Sequence, residues 1–505
     1  MKLVAWVSWL LLLLLLSSSQ NGIFHIRLCQ GSSQAEHLLN LIMSGSTQHS
    51  AEEWPELEHA TARAISSSSS SSFSANIEEA QEGSMEADKI DALPGQPTGV
   101  KFNQYSGYVT VDRKAGRSLF YYFAESPQNS STNPLVLWLT GGPGCSSIGN
   151  GALNELGPFI VTSDGKTLFQ NDYSWNKVAN MLFLESPAGV GFSYSNTGSD
   201  YNTTGDKSSA KDAYTFLINW LERFPHYKNR DFYITGESYG GHFVPQLAYT
   251  ILAHNNKSNR TFINLKGIAI GNPLLDLGIT LKSVYEYLWT HALISDETFS
   301  VISKECDYIH SNFSATCKIF QAIALIEMGP VNVGNIYSSF CFNDVPKPQY
   351  HGSVYDPCSG GYIASYLNRD EVQKALHAIN TSWMGCSPKF GLNHWKDSVI
   401  TTLPIIKQLI ANKMRVWIYS GDVDALVSVT STRYAIKAMK LPVEVGWRAW
   451  HSDGAKDVGG YVEAYKGLTL VTIRGAGHSA PSFQPERAFT MISSFLQGKL
   501  PPAFS

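Results

Sequence analysis

The stretch FYITGESYGGHFVP, Phe232 to Pro245, runs from aromatic and β-branched residues into Gly-x-Ser-x-Gly, Gly236 to Gly240, and on into helix-compatible sequence. It reads as a strand, a tight turn with Ser238 at its tip, and a helix. A small polar side chain between glycines at the end of a buried strand has two readings. It is a nucleophile held on a strained elbow, or it is an ordinary turn serine. The pattern alone is weak, and the surrounding sequence must decide.

Outward from this stretch the same signal recurs. PLVLWLT (Pro134 to Thr140), NMLFLES, LKGIAIGN, RVWIYSGD (Arg415 to Asp422) and LTLVTIRGAGH (Leu468 to His478) each contain a short continuous apolar run. Such runs are what a sheet buried on both faces requires. GYVTVD and SLFYYFAE predict a hairpin turning at Ala115–Gly116. Residues Asp206 to Phe224 predict an amphipathic helix with Ala210, Ala213, Tyr214, Leu217 and Leu221 on one face. Alternating buried strands and helices indicate an α/β fold, a mixed, mostly parallel central sheet with helices on both faces. The alternation breaks near Asp276 and resumes after residue 404. The intervening stretch holds five of the six cysteines in the folded region. The expected organisation is a core of residues 93–275 and 405–505 interrupted by a helical, disulfide-containing insertion, a lid, over 276–404.

The start of the chain carries an address. MKLVAWVSWLLLLLLLSSSQNG has one lysine, an apolar run from Leu3 to Leu16 and then small polar residues. That is a secretory signal peptide, residues 1–20; the run falls short of the ~20 residues a membrane span needs. Residues 21–92 are rich in Ser, Glu and Gln, with an unbroken serine run from Ser66 to Ser72, and read as a disordered pro-segment. LPGQP, from Leu93, looks like the start of the folded body.

Composition narrows the classes. Of 505 residues 12% are aromatic and 43% hydrophobic, enough for a large core. Net charge is −4, with 16% charged residues and no basic block, which argues against a nucleic-acid partner. Six Asn-x-Ser/Thr triplets, at Asn129, Asn202, Asn256, Asn259, Asn312 and Asn380, agree with a secretory route as candidate glycosylation sites. The seven cysteines lack Cys-x-x-Cys spacing and read as disulfide partners in an oxidising compartment, with no metal site.

Three strand ends now converge. Ser238 sits on the elbow, two aspartates (Asp422 and Asp424) follow a second strand in SGDVDALVS, and His478 follows a third in RGAGHSAP. Ser, Asp, His is the chain order of the α/β-hydrolase triad. A serine hydroxyl is a poor nucleophile until an imidazole accepts its proton, and a carboxylate fixes the tautomer of that imidazole. The glycines of LWLTGGPGCSS, Leu137 to Ser147, let backbone N–H groups approach a developing oxyanion. The second donor is the residue after the nucleophile, Tyr239. The elbow question is answered in favour of a nucleophile.

GGPGCSS, ESPAGVGFSYS, FPHYKNRDFYITGESYGGHFVPQLA, GIAIGNP, HALISDETF and GAGHSAPSFQPERA, in this order over roughly Leu93 to Pro501, resemble the serine carboxypeptidases, particularly the plant serine carboxypeptidase-like proteins. The resemblance implies an α/β-hydrolase fold with a lid-like insertion, exopeptidase chemistry at the C-terminal residue of peptides, and no cofactor. It selects Asp424 as the triad acid and Gly142 as the first oxyanion donor. It also implies that Glu155, in NELGPF, and Glu237 share a proton and grip the substrate's terminal carboxylate together with the Gly141 amide. An acidic working range follows. The family's pairing implies disulfides Cys145–Cys386, Cys306–Cys317 and Cys341–Cys358, leaving Cys29 outside.

Departures from the family bear on substrate. Thr140 stands where hydrolytic members read asparagine, and lacks the amide's reach and two donors. Gly240 replaces the usual alanine, and Ser479 replaces the glutamate that many plant members carry. The leading expectation is a secreted or vacuolar serine carboxypeptidase, with Thr140 a weakened partner for the substrate carboxylate. An acyltransferase passing an acyl group from a sugar ester to an alcohol is the second reading, and a silent binding protein the third. No membrane span is expected in the mature chain, and a homodimer is among the open oligomeric states.

Overall fold

Strand β3 (Arg117–Ala124) shows how the sheet is built. Its Leu119, Tyr121 and Phe123 enter one apolar cluster, while Phe120, Tyr122 and Ala124 enter another on the opposite face. Side chains alternate along a strand, so an unbroken apolar run is buried only when both faces are covered. The computed structural model describes residues 83–258, 261–308, 312–341, 355–390, 395–452 and 457–503. The expected signal peptide, most of the expected pro-segment, Cys29 and Asn259 lie outside them.

The remaining strands of the main sheet are β1 (Lys89–Ile90), β2 (Gln104–Asp112), β4 (Leu135–Leu139), β5 (Asn180–Leu184), β6 (Tyr194–Ser195), β7 (Phe232–Glu237), β8 (Leu265–Gly271), β9 (Arg415–Gly421), β10 (Val443–His451), β11 (Val458–Tyr465) and β12 (Leu468–Ile473). Their spatial order is β1-β2-β3-β5-β4-β7-β8-β9-β12-β11-β10, with β6 paired to β3. Strands β5, β4, β7, β8, β9 and β12 form a continuous parallel centre. Antiparallel pairs flank it on both sides. The β2–β3 hairpin turns where the sequence predicts, with Gly116 at φ 61°.

Helices α1 (Asp206–Arg223) and α2 (Gly240–Ser258) cover one face. On α1 the expected apolar face is buried, and so are Phe216, Ile218 and Trp220. Pro245 inside α2 has no N–H for Gly241 O four residues back; Thr402 Oγ1 donates to that carbonyl instead, at 2.9 Å.

The insertion leaves and re-enters through one stem: Leu277 N donates to Ile400 O and Thr402 N to Leu275 O. Its helices α3 (Leu277–Thr290), α4 (Asp296–Glu305) and α5 (Ala315–Met328) open on side-chain caps from Asp276, Ser295 and Ser314. They join the apolar cluster on the α1–α2 face. Helices α6 (Ser359–Leu367) and α7 (Asp370–Ala375) join the cluster on the other face. The insertion thus grips both sides of the sheet before α8 (Leu403–Ala411) leads into β9. Helices α9 (Val429–Ala438) and α10 (Pro485–Gln497) then cover opposite faces. The three disulfides are Cys145–Cys386, Cys306–Cys317 and Cys341–Cys358.

One expectation is corrected. The packed body begins ahead of Leu93: β1 pairs with β2, and Asp88 accepts from Tyr121 Oη and Arg223 Nη1, each at 2.6 Å. Arg223 is buried, and Asp88 is a carboxylate paired with it, so losing this segment takes a partner from a buried charge.

Candidate active site

Strand β7 ends at Glu237 and α2 begins at Gly240, so the chain reverses within two residues. Ser238 takes φ 62°, a left-handed conformation costly for a side-chain-bearing residue. The surroundings hold it there: Ser238 N donates to Gly271 O, and Ser238 O accepts from Gly241 N and Leu274 N, each at 2.9 Å. Packing against this elbow is the glycine loop after β4. A Cβ on Gly141 would stand 2.4 Å from Tyr239 N and 2.7 Å from Glu237 O, so only glycine allows the approach. At Gly240 an added Cβ would lie 3.3 Å from Leu139 O, so the alanine usual there needs only a slight shift.

His478 follows β12, and its Nδ1 lies 2.7 Å from Asp424 Oδ2, which places the proton on Nδ1. Asp422 is turned away; its Oδ1 accepts from Gly475 N at 2.6 Å. Asp424 also accepts from Leu426 N at 2.8 Å and from Asn272 Nδ2 at 2.9 Å. Asn272, in turn, accepts from Gly421 N at 3.0 Å through Oδ1. Asn272 carried no role in the sequence reading, although it stands in GIAIGNP directly after the Gly that ends a buried strand.

A turn of the insertion completes this side. Val333 O accepts from Ala425 N, and Gly334 O accepts from His478 N at 2.7 Å. The loops bearing Asp424 and His478 are thereby tied to the same few residues. Burial opposes a charged His478, but the carboxylates of Asp424 and Glu237 outweigh it and hold the imidazole above its ordinary range. Ser238 Oγ and His478 Nε2 are both buried without a protein hydrogen-bond partner. Hydrogen bonds of this kind tighten when substrate arrives.

Glu155 ends a π-helical segment, Ser147–Glu155, and meets Glu237 in the interior. Burial, and then the neighbouring Glu237 carboxyl, push Glu155 well above the usual carboxyl range, so Glu155 is the member of the pair that keeps a proton. Burial lifts Glu237 to about 7, opposed by His478 and by the neighbouring Glu155 and Ser479 side chains. Ser479 Oγ donates to Glu237 Oε1 at 3.2 Å. Thr140 is buried; its Oγ1 accepts from the Trp138 indole at 2.8 Å, and its N–H donates to Ser147 Oγ at 3.0 Å. An open cleft is lined in part by Asn154, Glu155, Tyr173, Tyr355, Asp356 and Ser482.

A further buried carboxyl, Glu185, was quoted within a motif but given no role. Its oxygens accept from Ser146 Oγ, Phe192 N and Trp383 Nε1, and burial lifts it to about 7. It joins the loop after β5 to the start of the π-helical segment and to the insertion.

The serine carboxypeptidase family model matches residues 94–498. Serine carboxypeptidase-like 40 of Arabidopsis thaliana is 50% identical over 428 residues, covering 82% of this chain and 84% of that one. Serine carboxypeptidase 24 of the same plant is 47% identical over 435 residues, covering 82% and 93%. Among solved structures, the prohormone-processing carboxypeptidase Kex1Δp of Saccharomyces cerevisiae superposes with a TM-score of 0.67 at 23% identity, covering 82% of this chain and 96% of that one, which bears on the fold. The chain belongs to the serine carboxypeptidase family.

Proposed function

We propose that the chain carries out its family's serine-type carboxypeptidase reaction through Ser238, His478 and Asp424, releasing the C-terminal residue of peptides at acidic pH. Ser238 Oγ attacks the scissile carbonyl carbon while His478 Nε2 takes its proton. The oxyanion lies between the Gly142 and Tyr239 amides. His478 then protonates the leaving amine, the free amino acid departs, and water enters along the same path to hydrolyse the acyl-enzyme. Asp424 keeps the imidazole in the required tautomer.

The observation that carries the exopeptidase reading is the buried Glu155–Glu237 pair beside the elbow. A carboxyl kept protonated donates a hydrogen bond to a substrate carboxylate, whereas an ionised pair repels it. The Gly141 amide adds a donor, and Thr140 has one hydroxyl proton to offer. That weak partner favours, as a second reading, acyl transfer to an alcohol through the same acyl-enzyme.

Secretion, to the cell exterior or the vacuole, fits the N-terminal apolar run and the three disulfides. Among the described residues no helix is long and apolar enough to cross a membrane. Asn129, Asn202, Asn256 and Asn380 are exposed, as glycan attachment requires, and Asn312 stands in a two-residue strand. A homodimer is compatible with this reading and is tested by sedimentation.

The test uses purified protein, with Ser238→Ala as control, and N-blocked dipeptides at mildly acidic pH. Release of the terminal amino acid that vanishes in the variant supports the reading. No release, with Ser238 still labelled by an organophosphate, overturns it in favour of acyl transfer.

A further inference from the structure

Asp206 is a buried carboxylate outside the triad and the glutamate pair, and it opens α1. Its Oδ1 accepts from the Tyr239 hydroxyl at 3.0 Å and from Trp395 Nε1 at 2.9 Å. Its Oδ2 accepts from Gln246 Nε2 at 2.9 Å and lies 3.1 Å from His242 Nδ1. Burial alone would raise this carboxyl, but its hydrogen-bond partners, His242 foremost, hold it below its ordinary range. Four donors around one carboxylate satisfy its lone pairs nearly completely.

Two of these partners, His242 and Trp395, pack on a third, Tyr239. Tyr239 is fully buried, with His242 stacked on its ring at 4.5 Å and 17° and Trp395 edge-on at 5.8 Å. Its hydroxyl also lies 2.7 Å from Ser398 Oγ. His242 and Gln246 stand four residues apart on α2, the helix that Tyr239 leads into. Trp395 and Ser398 come from the far arm of the insertion. The Tyr239 peptide is thus fixed twice, by the bonds of the Ser238 backbone and by a clamped side chain anchored on three separate chain segments.

We propose that Asp206 is a positioning residue for the oxyanion hole: it holds the Tyr239 ring so that the Tyr239 amide keeps its aim at the developing oxyanion. The inference rests on the reading that Tyr239 N–H is an oxyanion donor. A preorganised donor matters through its placement. Losing one costs about 10² to 10³ in rate, and misplacement by about 1 Å costs on the order of 10². A clamp that sets fractions of an ångström is therefore worth about tenfold.

Two variants test it. Tyr239→Phe removes only the hydroxyl, keeping the amide, the ring stack and the other three donors on Asp206. Asp206→Asn sets an NH2 against donors. Each is expected to lower kcat by about 10-fold while KM moves less than twofold. A peptide aldehyde, which forms a tetrahedral adduct on Ser238, should bind more weakly by the same factor, and an N-blocked amino acid resembling the first product should bind as before. A merely structural role would lower the unfolding temperature without splitting these two inhibitors. If Asp206→Asn fails to fold, Tyr239→Phe decides alone. A kcat within twofold of wild type in folded Tyr239→Phe, with unchanged aldehyde affinity, overturns the proposal. If the wild-type protein releases nothing from peptides, the substrate reading fails separately. The rate of Ser238 phosphonylation then replaces kcat: a tenfold slower reaction in Tyr239→Phe upholds the clamp and an equal rate rejects it.

Discussion

Thr140 commits its hydroxyl oxygen to the Trp138 indole, which leaves a single proton for a substrate carboxylate. An asparagine at this position can accept from the same indole through Oδ1 and present two N–H donors on Nδ2. Thr140→Asn is therefore expected to lower KM for N-blocked dipeptides about 10- to 100-fold, one added hydrogen bond to a charged group, with kcat unchanged. Steady-state kinetics on the two proteins checks this, and an unchanged KM would place Thr140 outside carboxylate recognition. Ser238, Asp424, His478, Glu155 and Glu237 were all legible as residue types at strand ends or in family motifs. Asn272 and Asp206 were not, because their meaning lies in burial and in partners up to 189 residues away, which no local pattern encodes.

At the scale of elements, the site is an edge where parallel strands end. Strand β7 delivers Ser238, β8 delivers Asn272, β9 delivers Asp424, and β12 delivers His478. The β8 end has the least obvious task, to hold the acid that holds the base. Asn272→Ala leaves the buried Asp424 one donor short, a loss of about 1–3 kcal/mol that should appear as an approximately 10-fold fall in kcat with KM little changed. Equal kcat in the variant would show that Leu426 N and His478 suffice to orient Asp424. The central strands were readable because both their faces are covered, so apolar residues run without alternation. The β10–β11 hairpin was not read: much of VEVGWRAWH is exposed at the sheet edge and carries no continuous apolar run. The distribution of the insertion over both faces was equally hidden, since helix periodicity shows that a face is apolar but not which cluster it joins.

Over the whole molecule, several carboxyls are buried with raised affinity for protons. Burial lifts Glu185 and Glu237 from an ordinary 4.5 to about 7, and burial together with Glu237 pushes Glu155 well above the usual carboxyl range. Between about 4.5 and 7 the folded chain keeps protons that the unfolded chain has lost, so stability falls as pH rises through this window. His478, also raised, contributes in the same direction, because its stabilising charge is lost at higher pH. Asp206 and Asp164 are lowered, and their contributions are already complete above the acid range. Thermal unfolding should therefore show a higher Tm at pH 5 than at pH 7.5; the reverse order would mean that these carboxyls are solvated or paired otherwise.

The same protons govern catalysis. Acid threatens the proposed general base, since His478 can take the Ser238 proton only when neutral. Yet Glu237 takes up a proton near 7 and so removes one of the charges that raise His478. Rising pH ionises the glutamate pair and sets a negative site against the substrate's own carboxylate. The most direct measurement is the ratio of kcat/KM for an N-blocked dipeptide to that for its C-terminal amide, followed from pH 4.5 to 8.5. A large ratio is expected at pH 5, collapsing above neutrality through a rise in KM for the free acid, the amide changing little. A ratio near one at pH 5, or one that stays constant across the range, would contradict recognition of the terminal carboxylate by a protonated Glu155–Glu237 pair.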